Sequence, residues 1–247
     1  MRVAALYDIH GMLTPLEAVL DEVDDTDVIV VGGDVASGPR PSEALELLRG
    51  LGGRVRWVRG TGDRELATGG TGDHAPGVQA SIRWTAARLS DEQRGFLGSL
   101  AETVVLDVDG LGDVCFCHAT PRSDEEIVTQ ATPDRHLQKV IARIEESVVV
   151  AGHTHMQLDR RVDGIRWVNA GSIGMPYEGE VAAFWALLGP DVELRRTRFD
   201  VERSMRDVLD SGWPDAETFV EKNLRAAVER KDVTAFFEKV AIDRGER

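Results

Sequence analysis

Arg2-Val3-Ala4-Ala5-Leu6-Tyr7-Asp8-Ile9-His10 and Val28-Ile29-Val30-Val31-Gly32-Gly33-Asp34 decide the architecture of this chain. Both are short apolar runs that stop abruptly on polar, ligand-type side chains, the pattern of buried strands rather than of helices. The first predicts a strand over Arg2 to Tyr7 and the second a strand over Val28 to Val31, with a helix from Thr14 to Asp24 between them. A second helix, Pro41 to Gly50, leads into a third predicted strand, Arg54 to Val58. Such alternation forms a parallel sheet with helices packed outside it, and the loops beyond the carboxyl ends of its strands are where chemistry is placed.

Working outward, the Gly-rich polar stretch Gly69 to Gly77 predicts a mobile surface loop followed by two helices. The second of these starts at Ser90, with Gln93 three residues on as the partner in a capping box. Beyond it strands dominate: Thr103 to Val108 with Val114 to Cys117, Leu158 to Val162 with Ile165 to Asn169 across Asp163-Gly164, and Val181 to Leu188 with Val192 to Arg198. One helix, Pro133 to Glu145, lies among them, and this half is expected to be largely antiparallel. After Asp200 the period turns helical, which predicts a tail docked through Trp213, Phe219, Phe236 and Phe237. The fold class is therefore α/β, two sheets flanked by helices, with residues 1–200 as the main domain and 201–247 as a helical extension packed on it.

Composition narrows the function. The 247 residues are 42% hydrophobic and 29% charged, ordinary globular usage that excludes collagen-like and disordered classes. Asp and Glu number 43 against 29 Lys and Arg, a formal charge of -14 that repels nucleic-acid backbones and rules out a sequence-independent DNA binder. Cys115 and Cys117, two apart on a predicted strand, are poorly placed for a disulfide and read as core packing in a reducing compartment. No stretch approaches the roughly 18 apolar residues of a membrane span. A cytoplasmic protein without a membrane partner is expected, and the oligomeric state is not legible.

Four of the six histidines, His10, His118, His153 and His155, fall at or just beyond strand ends, beside Asp8 and Asp34. Asp8-Ile9-His10 puts an oxygen and a nitrogen ligand on one face of an extended segment, and His153-Thr154-His155 repeats the device. Asp34 stands at the tip of a glycine turn, where its two oxygens can bridge two cations. Mixed imidazole and carboxylate donors without thiolate suit Mn²⁺, Fe²⁺, Zn²⁺, Co²⁺ or Ni²⁺.

The order of the pieces carries more than any one of them. D-x-H at a first strand, G-G-D at a second, G-T-G-D at a third, then C-H-A-T-P, G-H-T-H and N-A-G-S resembles the calcineurin-like metallophosphoesterases, most closely their small bacterial and archaeal phosphodiesterase branch, from Arg2 to about Asp200. The resemblance implies a four-layer α/β/β/α sandwich of two mixed sheets. It implies that Asp8, His10 and His155 hold one metal, that His118 and His153 hold a second, and that Asp34 bridges. It also implies supporting roles for Asp63, Asn169, Gly171 and Ser172, while Arg64 and Arg122 are candidates for gripping a phosphate.

Two departures from the family pattern matter. Thr61 stands where an asparagine carbonyl would coordinate the second metal, and a hydroxyl one bond shorter is a weaker ligand. Gly62 stands where larger relatives carry a catalytic histidine, so no general acid is evident there; a shifted register would instead draw Asp73 and His74 from the glycine-rich loop. The implied function is a phosphoesterase, with a phosphodiester preferred, using two divalent cations (manganese preferred) about 4 Å apart that share a bridging hydroxide, with Asp34 and His118 central to catalysis. The implied partner is a small phosphate ester. The alternative is a catalytically weak or inactive protein that keeps the fold as a binding scaffold.

Overall fold

β1 (Val3–Leu6) and β2 (Val28–Val31) pair in parallel, with Ala4 opposite Ile29 and Leu6 opposite Val31. Every residue of both strands is buried, because each strand has a layer on both faces. Period-2 alternation sorts them: Ala4, Leu6, Ile29 and Val31 face the helices, while Val3, Ala5, Val28 and Val30 face a second sheet. The computed structural model describes residues 1–247 except Asp73.

The helices over the first sheet are α1 (Leu13–Glu22) and α2 (Pro41–Arg49); a 3₁₀ turn, Gly52–Arg54, then leads into β3 (Val55–Trp57), parallel to β2. A helix not anticipated above, α3 (Thr61–Thr68), begins directly after this strand at the G-T-G-D segment. α4 (Pro76–Ala86) and α5 (Asp91–Ser99) are the two expected helices, and the Ser90–Gln93 capping box forms in both directions, at 3.1 and 3.0 Å.

β4 (Thr103–Val108) and β5 (Gly112–Cys117) form an antiparallel pair; α6 (Asp134–Ile141) and β6 (Val148–Ala151) follow, then the hairpin β7 (Leu158–Val162) and β8 (Ile165–Asn169). β6, unassigned from sequence, is the centre of the second sheet and runs parallel to both β5 and β8. The three expected hairpins of this half are antiparallel, and the parallel pairings it contains are those of β6. β9 (Ala183–Leu188) and β10 (Val192–Thr197) return to the first sheet, β9 antiparallel to β1 and β10 antiparallel to β9, giving the orders β10-β9-β1-β2-β3 and β4-β5-β6-β8-β7. A turn signal fixes which neighbours pair locally but not which sheet the hairpin joins.

Two mixed five-stranded sheets therefore stack through Tyr7, Val30, Phe116, Val150 and Val168, with helices outside each, an α/β/β/α sandwich. Cys115 and Cys117 point to the outer face of the second sheet, packed with Leu137 and Val140 of α6, and both thiols are free. The chain ends in α7 (Val201–Leu209), α8 (Ala216–Phe219), a π-turn Val220–Arg225 and α9 (Arg230–Asp243). Trp213, Phe219, Val220 and Leu224 pack with Met12, beside the loop that carries Asp8 and His10. Phe236, expected to dock this tail, is instead 61% exposed. No helix is long and apolar enough to cross a membrane among the described residues.

Candidate metal centre

The carboxyl ends of β1, β2, β5 and β6 meet at one edge of the sandwich, which brings side chains as far apart in sequence as Asp8 and His155 within 3.3 Å. Asp8 and His10 follow β1, Asp34 follows β2, His118 follows β5, and His153 and His155 follow β6. Five of these six hold left-handed backbone conformations: φ is 53° at Asp8, 52° at His10, 53° at Asp34, 65° at His153 and 59° at His155. Each such non-glycine residue costs about 1–3 kcal/mol, so the fold spends stability to aim these side chains inward. Among the described residues, the only other non-glycine residue with positive φ is Asp163, in the β7–β8 hairpin turn.

The inward atoms are close. Asp8 Oδ1 lies 3.3 Å from His155 Nε2, 3.9 Å from His118 Nε2 and 4.0 Å from His10 Nε2. Asp34 sends one oxygen to each side, Oδ2 3.9 Å from His10 Nε2 and Oδ1 3.7 Å from His118 Nε2. Two ligand groups result, Asp8–His10–His155 and Asp8–Asp34–His118. His153 belongs to neither: its backbone N–H donates to Asp8 Oδ2 at 2.9 Å, and its ring lies 5.3 Å from that of His118.

Carbonyl groups behind the rings set the tautomers. Nδ1 of His10 donates to Ser37 O, that of His118 to Gly32 O and that of His155 to Met175 O, at 3.2, 2.9 and 2.7 Å. In the neutral rings this leaves three Nε2 lone pairs directed at one another and at two carboxylates, the arrangement imidazole ligands adopt around a cation. Nε2 of His10 and His155 are only 3.2 Å apart, and Asp8 Oδ1 and His118 Nε2 are buried without a hydrogen-bond partner. Orphaned acceptors at such separations fit a divalent metal.

The carboxylates and imidazoles of the cluster shift one another. Although burial opposes ionisation, the three imidazoles hold the Asp8 carboxyl well below the usual range. Burial likewise disfavours the charged rings of His118 and His155, yet Asp8 and Asp34 raise both. Burial, with His118, drives His153 down to about 4. Asp63 is pushed up to about 6 by burial and by Asp34.

Around these donors stands a supporting layer. Asp63, in the first turn of α3, accepts from the backbone N–H groups of Asp34, Gly60 and Val35 at 2.9, 2.9 and 3.1 Å, pinning the Asp34 loop. The Gly62 N–H donates to Asp34 Oδ1 at 2.7 Å. A Cβ on Gly62 would sit 2.2 Å from Ser37 Oγ and 3.2 Å from Asp34 Oδ1, so a side chain there would have to displace the Ser37 hydroxyl and press on Asp34. Asn169 Nδ2 donates to Gly152 O and to Thr154 Oγ1, while Ser172 Oγ donates to Asp8 O at 2.8 Å and accepts from Met175 N.

Three candidates are placed differently from expectation. Thr61 faces the cavity over the site, but its hydroxyl proton is given to the Asp124 carbonyl. Arg64 is taken by Asp124 and Glu125 and Arg122 by Glu126, and neither lines the cavity; local acids four or fewer residues from Arg122, and a loop folded beside Arg64, claim both guanidinium groups. Of the shifted-register pair, Asp73 lies outside the described residues, and His74 lines the cavity with Nε2 2.6 Å from Glu65 Oε1. Ser37, Glu65 and Met175 carry no motif in the sequence, and the wall residues Trp213 and Phe237 read there only as packing.

An α/β/β/α sandwich with an Asp/His cluster at the carboxyl ends of its strands defines the metallophosphoesterase class. The model of the calcineurin-like phosphoesterase superfamily domain matches residues 1–188, and the chain belongs to that superfamily. Among solved structures it is similar to a metallophosphoesterase from Sphaerobacter thermophilus, at 26% identity and a TM-score of 0.76, covering 92% of this chain and 99% of that one. It is also similar to a hypothetical protein from Pyrococcus horikoshii OT3, at 21% identity and TM-score 0.77, covering 89% and 97%. The fold extends to Vps29 of Chaetomium thermophilum, at 13% identity and TM-score 0.53, covering 81% and 89%. No curated protein matches the sequence.

Proposed function

We propose that this protein is a phosphoric ester hydrolase, with a preference for small phosphodiesters, that works with two divalent cations, manganese foremost, in the cytoplasm. The observation that carries this reading is the set of Nε2 lone pairs and carboxylate oxygens fixed toward one another by backbone carbonyls. Asp8, His10 and His155 would hold one cation and His118 the other, with Asp34 reaching both and His153 beside His118. Bound cations of this kind lower the pKa of water and neutralise charge that develops on a phosphoryl group.

The chain's own residues do the rest. Asp34 Oδ1, held by the Gly62 N–H, is fixed in direction, so the site is organised before substrate arrives. Asp63 and Ser172 hold the loops of Asp34 and Asp8 by backbone contacts and keep the separation of the two ligand groups. With glycine at residue 62, no imidazole stands there to protonate a leaving group, which favours esters whose leaving oxygen is already stable.

Elemental analysis of purified protein, followed by assay of bis-p-nitrophenyl phosphate and p-nitrophenyl phosphate with added Mn²⁺, tests the reading. Metal near or above one equivalent with faster diester turnover is expected, and Asp34→Asn should abolish it. Protein that retains no metal and turns over neither ester overturns the hydrolase reading in favour of a scaffold. Thr61→Asn, which supplies an amide carbonyl, should raise occupancy of the second position.

A further inference from the structure

The metal ligands occupy only the inner end of a cavity of about 440 Å³, a volume typical of small-molecule sites. Its outer walls are apolar. α4 contributes Val78 and Ile82, one turn apart on the same face, and the C-terminal segment contributes Trp213, Phe219 and Phe237. The Trp213 and Phe219 rings meet edge to face at 5.5 Å, and the Phe237 ring lies 6.2 Å from that of His153, at the border with the ligand cluster.

Two pairs of polar side chains in the outer walls satisfy each other, while Trp213 Nε1 and Asn223 Oδ1 are buried without a hydrogen-bond partner. Ser81 donates to Asp215, and Glu65 is paired with His74. Among the described lining residues, Lys222 is the only lysine or arginine, while Glu65 and Asp215 bring two carboxylates to the same walls. A polyphosphate or a nucleic-acid strand entering here would bring several negative charges to walls that offer one lysine to pair them. An uncharged ring system would instead find aromatic partners at the 4.5–7 Å separations such rings prefer.

We propose that this chamber binds the aromatic, uncharged arm of the substrate, which makes the substrate class a small aryl phosphoester. The inference rests on the phosphoesterase reading for the reacting end, but the chamber itself is testable without metal. 1-Naphthol titrated calorimetrically into EDTA-treated protein is expected to bind one to one. Phe237→Ala and Ile82→Asp should each weaken it about tenfold, which is about 1.4 kcal/mol. Val105→Ser, on an exposed residue of β4 outside the cavity, should bind as wild type. Naphthol that does not bind, or binds equally to all variants, overturns the proposal even if manganese-loaded protein hydrolyses bis-p-nitrophenyl phosphate. Naphthol bound with this pattern by protein that hydrolyses no ester supports the chamber and removes the phosphoesterase reading instead.

Discussion

Gly152→Ala places one methyl group against the residue shared by both ligand groups. The new Cβ would stand 2.5 Å from Asp8 Oδ2 and 2.5 Å from Cδ1 of Tyr7, with a backbone φ that alanine tolerates. Tyr7 is locked in the core by its hydrogen bond to Val150 O at 2.9 Å, so the Asp8 carboxylate gives way. It must retreat by about half an ångström, the margin within which a functional constellation has to be held. Disturbances of this kind cost metal affinity about 10- to 100-fold. At a Mn²⁺ concentration 100 times the wild-type Kd, metal stabilises the wild type by about 2.7 kcal/mol, and the variant by only about 0.4–1.4 kcal/mol. In a chain of this size that contrast is a Tm rise of about 5–11 °C against about 1–6 °C, read by calorimetry with EDTA and with Mn²⁺. The metal-free variant should also lose about 1–3 kcal/mol to overpacking. Gly53→Ala, whose Cβ meets nothing within 4 Å, is the control. A Gly152→Ala protein that keeps the full metal-induced shift would refute the placement of Asp8 at the centre of the site.

Ser172→Ala removes a buried hydroxyl that bonds both Asp8 O and Met175 N; unfolding in urea should show a loss of about 1–3 kcal/mol. Burial pushes the Cys115 thiol up to about 11 and Cys117 well above its usual value, so the folded protein should resist a thiol-specific reagent at pH 8 and react at both positions once denatured. Burial, helped by Arg247 and Arg122 against the pull of Glu126, holds His136 below the ordinary histidine value. The unfolded chain therefore binds this proton first, and stability falls as pH drops below about 6.5, the loss becoming complete beneath the folded pKa. Urea midpoints at pH 7.5 and 5 should differ less for His136→Gln than for wild type; an equal difference would remove His136 from the acid response.

Much of the site was legible because its ligands sit at strand ends, where short apolar runs stop on an acid or a histidine. Asp8, His10, Asp34 and His118 announce themselves in this way, His153 and His155 by their two-residue spacing, and the order of all six along the chain supplied the family likeness. β6 escaped notice, although His153 and His155 follow it, since four apolar residues after a helix offer neither alternation nor a turn signal. α3 escaped because its cap is a glycine and its N3 acid, Asp63, spends its carboxylate on neighbouring loops as well as on its own helix.

The sequence by itself determined the two-sheet α/β class, the ligand types and the edge of the sheets on which they gather, because alternation, glycine turns and strand ends are local properties. Tertiary structure alone decided which hairpin joined which sheet, which imidazole nitrogen faces inward, and that Arg64 and Arg122 are consumed by neighbouring acids. It also made the wall of Trp213, Phe219 and Phe237 part of the cavity over the Asp/His cluster. Each of these depends on what lies across a gap from a residue many positions away, and a side chain's type does not encode its distant neighbour.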